Sequence, residues 1–431
     1  MKLNNKRTIL VGFAFLSICA FWQMYDSVIP KILTKTFQLS ETVTGTIMAA
    51  DNILALFLLP LFGAISDRSR SKMGKRSPFI LFGTLAAVIL MNVLPLIDNS
   101  YYAAPAPLKL VFFVVVLGLL LVAMGTYRSP AVALMPDVTP KPLRSKANAI
   151  INLMGAIGGV LFLIITTFLY SKKRIGNLEH VDYTLLFAIV AGIMVVSVAV
   201  VLLTIRERKL ETEMQEYEKL HPEETLTQTN DCGKEVLPPE VKKSLGFLLA
   251  SIALWFIGYN AITTWFTVYA ETVWGMALGD ATLCLTIATV GAIVSYIPVG
   301  IVSSKIGRKK TIMFGVALLA ASFFGGFVFT LVSDAFSPIL YVIFLLVGLS
   351  WAAINVNSLP MVVEMCGGSD VGKFTGYYYT FSMAAQTITP IAAGALLKNV
   401  SYTALFPYAA IFVALSFVTM LFVKHGDNVA K

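Results

Sequence analysis

Long apolar segments separated by short polar loops dominate the chain. Twelve segments are each about 20 residues long or longer, the length that an α-helix needs to span the hydrocarbon of a bilayer. The segments are 8–30, 43–66, 78–98, 108–134, 146–170, 183–204, 244–270, 279–302, 311–332, 338–363, 374–397 and 402–423. The pattern predicts an all-α integral membrane protein with twelve transmembrane helices.

A charged stretch divides the segments into two sets of six. We expect an N-terminal six-helix bundle over 1–204, a cytoplasmic linker over 205–243 and a C-terminal six-helix bundle over 244–431. The linker holds ten acidic and seven basic residues, so we interpret it as a solvated tether. Its opening, 206–220, favours a short polar helix along the membrane surface.

The first segment resembles a secretory signal peptide at its start. Lys2, Lys6 and Arg7 precede the apolar run, as they would in such a leader. The run continues through Trp22 to Ile29, however, which is too long for a leader. We therefore interpret the segment as the first transmembrane helix.

Composition narrows the class of protein. The chain is 57% hydrophobic and 13% charged, with a mean hydropathy of +0.79, whereas soluble domains carry about 25% charged residues. This excludes an ordinary soluble enzyme, a disordered chain and a nucleic-acid-binding domain. The four cysteines have no paired spacing, so we predict no disulfide framework, no metal site and no cofactor.

The positions of the basic residues predict an orientation. Of the 33 lysines and arginines, 25 lie in the termini, the linker and the loops on their side of the membrane, and seven lie in the opposite loops. Basic residues concentrate in cytoplasmic loops. We therefore expect a multi-pass protein of the cell membrane with both termini in the cytoplasm. Arg128 is the one base left inside a segment.

Two loops repeat one pattern at matching places in the two halves. Residues 63–76 follow the second segment and residues 300–310 follow the eighth. Each begins with small residues at the end of a helix and continues into a tight basic loop. Two copies, each after the second helix of six, predict a parallel internal repeat.

Away from the outermost residues of the apolar segments, two acids lie where a charge costs about 3 kcal/mol and usually has a function. Asp51 lies about 12 Å below the outer end of segment two, and we interpret it as a proton site rather than a structural hydrogen-bonding group. Asp26 is either a proton or sugar site, or a carboxylate that reaches interfacial water, since Pro30 and Lys31 follow it closely.

Arg128 has two interpretations that the sequence leaves open. Its planar guanidinium suits sugar hydroxyls and can hold a carboxylate ionised. The alternative is a salt bridge with Asp137 or Glu364 at the cytoplasmic gate. Under either interpretation, loss of Arg128 should impair transport.

Several stretches resemble the major facilitator superfamily, and within it the sucrose-transporter branch of the glycoside–pentoside–hexuronide:cation symporter group. They are Gly63–Arg68 with Gly74–Phe79, Tyr127–Asp137 with Arg144–Asn148, Asn355–Glu364, and Thr375–Tyr378. The resemblance implies proton-coupled uptake of a disaccharide or related glucoside by alternating access. It also implies that Arg128 takes part in transport.

Melibiose transporters of the same group carry two acids, one helical turn apart, that bind the coupling cation in segment two. Alignment of the loop glycines puts Ala55 and Leu59 at those positions, with Asp51 one turn earlier. This departure argues against a sodium site of that kind and favours protons.

We expect two further groups of residues to serve transport. Aromatic and amide side chains suit sugar faces and hydroxyls, although many such aromatics only line the lipid belt or pack between helices. With Arg128, the substrate candidates are Trp22, Tyr25, Asn52, Tyr259, Asn260, Trp351, Asn355, Asn357, Tyr378 and Gln386, with Tyr127 and Trp265 as further aromatic candidates. The cytoplasmic gate candidates are Asp67, Arg68, Gly74, Arg76, Asp137, Arg144 and Glu364, which we interpret as a clamp of ion pairs.

The leading hypothesis is therefore a proton–sugar symporter whose partners are a small sugar, a proton and the lipid bilayer. We expect a monomer that binds no nucleic acid. The alternative is an uncoupled facilitator or an exporter of another small metabolite. A receptor or scaffold is disfavoured by the short loops, and an enzyme is disfavoured because no nucleophile–base pair or metal-ligand set occurs.

Overall fold

The protein is described by a computed structural model over residues 4–139, 144–176, 178–220, 238–333, 335–365 and 371–426. Within these ranges the regular structure is helical and contains no strand. Twelve of the described helices are long and apolar enough to cross a membrane. The prediction of an all-helical, multi-pass membrane protein is confirmed.

Nine of the twelve helices are longer than the predicted apolar segments, because polar residues at their ends continue the helical turns. They are α1 (Asn5–Lys31), α2 (Glu41–Asp67), α3 (Ser77–Ala103), α4 (Pro107–Asp137), α5 (Arg144–Leu169), α6 (Thr184–Thr204), α7 (Pro239–Trp274), α8 (Leu278–Ile306), α9 (Arg308–Val332), α10 (Ile339–Glu364), α11 (Val371–Asn399) and α12 (Leu405–Leu421).

Two shorter helices lie outside this set. The polar helix expected after α6 is present as Glu207–Leu220, here named the linker helix. Residues 221–237 of the predicted linker, with Cys232, lie outside the described residues. A one-turn helix, Lys172–Ile175, carries Lys172, Lys173 and Arg174, three of the seven basic residues of the opposite loops. Its side chains are exposed or half-buried.

The described residues form two compact units. Unit 1 comprises the described parts of Met1–Gln38, Ala50–Leu169 and Ile175–Thr229. Unit 2 comprises Leu39–Ala49, Tyr170–Arg174 and the described part of Asn230–Lys431. The start of α2 groups with unit 2 because it packs on α11. Tyr402, in the turn between α11 and α12, also donates a hydrogen bond to Glu41.

In unit 1, α1 packs along α5 and α6, and α3 packs along α4 and α6. The contact between α1 and α5 depends on glycine, since a Cβ at Gly158 would lie 2.0 Å from the Leu16 carbonyl oxygen. Small residues allow this close approach of helices in membranes. The second helix approaches α4 through Leu58 and Leu59, while Leu56, Phe57 and Leu61 of the same helix are exposed.

Unit 2 repeats the same pairs of helices six positions later. Here α7 packs along α11 and α12, and α9 packs along α10 and α12. The loop repeat also keeps its register, because Ser66 donates to Gly63 O at 2.8 Å and Ser303 donates to Gly300 O at 3.0 Å. The two halves therefore share one helical arrangement, as the repeated loops predict.

Candidate functional site

A small cavity in unit 1 brings together three of the predicted residues. Trp22 on α1, Asp51 on α2 and Arg128 on α4 line it, together with Ala55, Leu58, Leu59, Leu121 and Gly125. Its volume is about 10 Å³, close to the smallest space that holds one water molecule. Three charged or polar groups thus meet in a site that is otherwise apolar.

The three side chains reach the cavity from deep positions on their helices. Asp51 lies about 15 Å from the start of α2, and Arg128 lies about 14 Å from the end of α4, at ~1.5 Å rise per residue. The Arg128 guanidinium carbon lies 5.5 Å from the centre of the Trp22 ring, which is a cation–π contact. Asn52 Nδ2 donates to Asp51 Oδ1 at 2.9 Å and orients the carboxylate.

Two polar atoms of α1 beside this cavity have no hydrogen-bond partner among the described residues. They are Trp22 Nε1 and the Tyr25 hydroxyl, and both are buried. The two rings contact each other edge to face at 5.4 Å. A buried donor without a partner costs free energy, so Trp22 Nε1, on a residue that lines the cavity, is available to a polar ligand.

Asp26 keeps both of its interpretations, as a proton or sugar site and as a carboxylate that reaches interfacial water. The helical turns after it do not end at Pro30. A π-helical turn, Ile32–Thr36, extends the segment by about 15 Å beyond Asp26. Asp26 is half-buried, follows Trp22 by one turn and does not line the cavity.

In unit 2, the aromatic candidates form one cluster on α7, α10 and α11. The Tyr259 and Trp351 rings stack in parallel with centres 3.7 Å apart. Phe256 meets Trp351 edge to face at 5.3 Å and Tyr378 at 6.4 Å. Phe256 was not among the predicted substrate residues, although its position three residues before Tyr259 puts both on one helical face.

The four amide candidates of unit 2 have different surroundings. Asn260 Nδ2 is buried without a partner among the described residues, and Asn355 is exposed and shares a hydrogen bond with Tyr296. Gln386 donates to the Ser382 carbonyl of its own helix. Asn357 is 1% exposed and donates to Ala353 O at 2.8 Å, so it stabilises α10 internally.

Two aromatic candidates are part of the packing between helices. Trp265 is buried and its Nε1 donates to Pro390 O at 3.2 Å, which joins α7 to α11. Tyr127 is buried and its hydroxyl donates to Ala14 O at 2.9 Å, which joins α4 to α1. Their polar atoms are therefore already hydrogen-bonded within the protein.

At one end of unit 1, Arg76 bridges the ends of two helices. It forms ion pairs with Asp67 at the end of α2 and with Asp137 at the end of α4, the second at 2.8 Å. Burial lowers the pKa of Arg76, but the hydrogen bond and charge of Asp137, together with Asp67, outweigh it and raise the pKa above its ordinary value. The guanidinium therefore stays charged.

Unit 2 has an equivalent bridge. Arg308 begins α9 and forms an ion pair with Glu364 at the end of α10, just as Arg76 precedes α3 and pairs with the end of α4. The acids proposed as gate partners of Arg128 thus pair with other arginines. Arg308 was not among the predicted gate residues, although the loop repeat could have identified it.

The other gate candidates are less well defined. Arg68 is exposed, and Arg144 begins α5, although its side chain lies outside the described set. The described ion pairs of the gate set each lie within one unit. They fix helix ends inside a bundle, and their part in a conformational clamp stays a prediction.

Comparison with known families identifies the chain. The model of the Major Facilitator Superfamily matches residues 11–288 and 272–431. The chain belongs to the major facilitator superfamily. The repeated loop and the matching helix pairs of the two units agree with this membership.

Several known proteins resemble the chain at low sequence identity. Sucrose transport protein SUC3 of Arabidopsis thaliana is 28% identical over 152 residues, 32% of this chain and 25% of that protein. Alpha-ketoglutarate permease of Escherichia coli (strain K12) is 28% identical over 164 residues, 37% of this chain and 34% of that protein. These matches span only a quarter to a third of the relatives. The crystal structure of a D-xylose-proton symporter has the same fold, with a TM-score of 0.70, 15% identity and 98% coverage of both chains.

The basic loop of this superfamily member is anchored by a residue that the sequence analysis assigned to the linker. Glu207 is 2% exposed and accepts hydrogen bonds from Arg76 N at 2.8 Å, Ser77 N at 2.9 Å and Ser77 Oγ at 2.7 Å. It caps the positive N-terminus of α3. Gly74 has a φ of +119°, and a Cβ there would lie 2.2 Å from Glu207 Oε2, so this close approach requires glycine.

Replacing Glu207 with glutamine should weaken this anchor. The substitution keeps the size but loses the charge-assisted hydrogen bonds, which contribute about 1.5–3 kcal/mol. We expect the melting temperature of the purified protein in detergent to fall by about 2–4 °C. Glu216→Gln, at an exposed position of the same helix, is the matched control and should leave it unchanged. Equal melting temperatures for the two variants would contradict the anchor.

Proposed function

We propose that this chain is a secondary active transporter that couples the uptake of a disaccharide or glucoside, of the sucrose or maltose type, to protons. The observation that carries the proposal is the meeting of Asp51, Arg128 and Trp22 at one small cavity in unit 1. The names of several relatives support this substrate class, because those relatives are sucrose transport proteins.

Asp51 is the proton site of this proposal. A carboxylate deep in an apolar helix loses hydration, which favours its neutral form and lets it exchange a proton. The cavity that it lines has room for about one water molecule, which is enough for the carboxyl group to exchange its proton with water. Ala55 and Leu59 line the same cavity, which leaves it without a second acid to bind a sodium ion.

Arg128 and the aromatic residues are the sugar-binding groups of this proposal. The guanidinium donates in two directions and suits paired hydroxyls. In unit 2, the stacked pair of Tyr259 and Trp351 supplies an apolar face of the kind that packs on a sugar ring. Each unit also has an unpartnered buried donor of the kind that binds a hydroxyl, Trp22 Nε1 in unit 1 and Asn260 Nδ2 in unit 2.

The proposal includes an orientation of the chain in the membrane. The loops that carry Arg76 and Arg308 would face the cytoplasm, because basic residues concentrate there. Both termini would lie on that side of the cell membrane, with Asp51 reached from outside. Reorientation by alternating access would carry the proton and sugar inward together, in a protein that functions as a monomer.

An organic acid is the second candidate substrate. One relative is named as an alpha-ketoglutarate permease, and an arginine fork binds carboxylates in bidentate fashion. The Arg128 guanidinium would then neutralise the substrate. An uncoupled facilitator or an exporter of such a metabolite would also bind it at Arg128. It would not need Asp51 to exchange a proton.

Uptake into proteoliposomes tests these alternatives. We expect sucrose or maltose to accumulate when a pH gradient is imposed, and a pH electrode to record proton uptake when the sugar is added without a gradient. Accumulation of alpha-ketoglutarate without sugar uptake would favour the second candidate. Folded protein that is inert to a disaccharide panel would contradict the proposal.

A further inference from the structure

A second and larger cavity lies at the end of unit 1 that carries the basic loop. Its volume is about 290 Å³. The start of α1, the end of α6 and the first two turns of the linker helix form its walls. The lining residues are Asn4, Lys6, Arg7, Leu10, Thr204, Ile205, Arg206, Lys209, Leu210 and Glu213. None of them belongs to the predicted transport or gate residues.

The charge of this cavity is strongly positive. It contains four basic side chains and one acid, and Lys209 alone among the four has an ion-pair partner within the described residues, Glu213 at 4.0 Å. The first turn of α1 also begins here, so the positive end of a long helix dipole adds to the field. The cavity is therefore suited to an anion with several oxygen acceptors, such as a phosphate group.

The surroundings of the cavity favour a phosphate that belongs to a lipid. Ile9 is 42% exposed and Leu203 is 83% exposed, and both lie on membrane-spanning segments next to residues that line the cavity. Leu10, Ile205 and Leu210 contribute apolar walls. Bases at the headgroup level and exposed apolar side chains beside them match the two parts of a phospholipid.

The linker helix is fixed in place beside this cavity. Glu207 anchors its first turn to the start of α3 through three hydrogen bonds. Arg206 precedes that anchor, and Lys209 follows it by two residues. The anchor therefore holds both bases at the wall of the cavity.

We propose that this cavity binds the phosphate headgroup of one anionic phospholipid, with Arg7, Arg206 and Lys209 as the main ligands and the acyl chains along Ile9 and Leu203. The lipid would join the linker helix to α1 and α6. A basic pocket between spanning helices and a surface helix is a general form of anionic-lipid site.

Binding of phosphatidylglycerol to the full-length protein in detergent, followed by native mass spectrometry, tests the proposal. The double variant Arg206→Gln, Lys209→Gln should bind about 30-fold more weakly, since each base near a membrane phosphate contributes about 1 kcal/mol. Lys242→Gln, Lys243→Gln removes the same charge from exposed positions at the start of α7 and should bind as the wild type does. Glu213→Gln removes the single acid and should bind several-fold more tightly.

Three comparisons separate the outcomes. Phosphatidylcholine should bind much more weakly than phosphatidylglycerol, and glycerol phosphate, the soluble headgroup, should not compete at equal concentration. Equal binding of phosphatidylcholine would overturn the role of charge, and full competition by glycerol phosphate would assign the cavity to a soluble phosphate instead. Wild-type binding by the Arg206, Lys209 variant, with an unchanged melting temperature, would overturn the site.

Discussion

Replacing Arg128 with alanine should reduce sugar uptake by about 100-fold or more. The guanidinium is the one basic group that the structure places in the cavity with Asp51 and Trp22. Its removal takes the cation and its fork of donors out of the cavity, and each hydrogen bond from a charged group contributes about 1.5–3 kcal/mol. It also removes the cation–π contact with Trp22.

Two further variants define what Arg128 contributes. Arg128→Lys keeps the charge but loses the planar fork, so it should restore proton coupling better than it restores sugar affinity. Arg70→Ala removes an exposed arginine from the basic loop and is the matched control. Initial rates of radiolabelled sugar uptake, at equal amounts of folded protein, measure all three. Uptake by Arg128→Ala at the rate of Arg70→Ala would remove Arg128 from the transport site.

The helices of this protein could be predicted from the sequence because their signal is local. Each spanning segment must satisfy its own backbone hydrogen bonds in lipid, so apolar length alone identifies it. The repeated loops likewise predict the shared arrangement of the two halves. Arg128 could be singled out for the same reason, since a base inside an apolar segment is conspicuous without any knowledge of its neighbours.

The partners of charged residues could not be predicted in this way. Asp137 and Glu364 pair with Arg76 and Arg308 because of how the helix ends meet, and the linear sequence gives no distance between them. Glu207 lies 130 residues from Ser77 in a stretch whose charge resembles a solvated tether. Pro30 suggests a helix end just after Asp26, whereas the helix accommodates the proline and continues.

The contrast between Asn355 and Asn357 has the same origin. The two amides lie on one helix two residues apart, so they point in different directions. Asn357 faces the core and bonds its own helix, while Asn355 is exposed. Only the packing of α10 decides which of them is accessible, and the sequence treats them alike.

Replacing Asp51 with asparagine should separate sugar movement from proton movement. Asparagine keeps the size of the side chain and its hydrogen-bonding capacity, but it cannot exchange a proton. We expect sugar exchange between two equal pools to continue at a rate close to that of the wild type. With a pH gradient imposed, the sugar concentration inside should rise only to the concentration outside. The pH electrode should record no proton uptake.

Asp26→Asn is the matched comparison, because it removes the other intramembrane acid of the first two helices. Asp26 does not line the cavity, so this variant should retain accumulation. Asp51→Glu, which restores a carboxyl group, should recover part of the coupling. Uphill accumulation by Asp51→Asn would contradict its role as the proton site, and loss of coupling in Asp26→Asn alone would transfer that role to Asp26. The test depends on the difference between exchange and accumulation, which a misfolded or merely inactive variant does not produce.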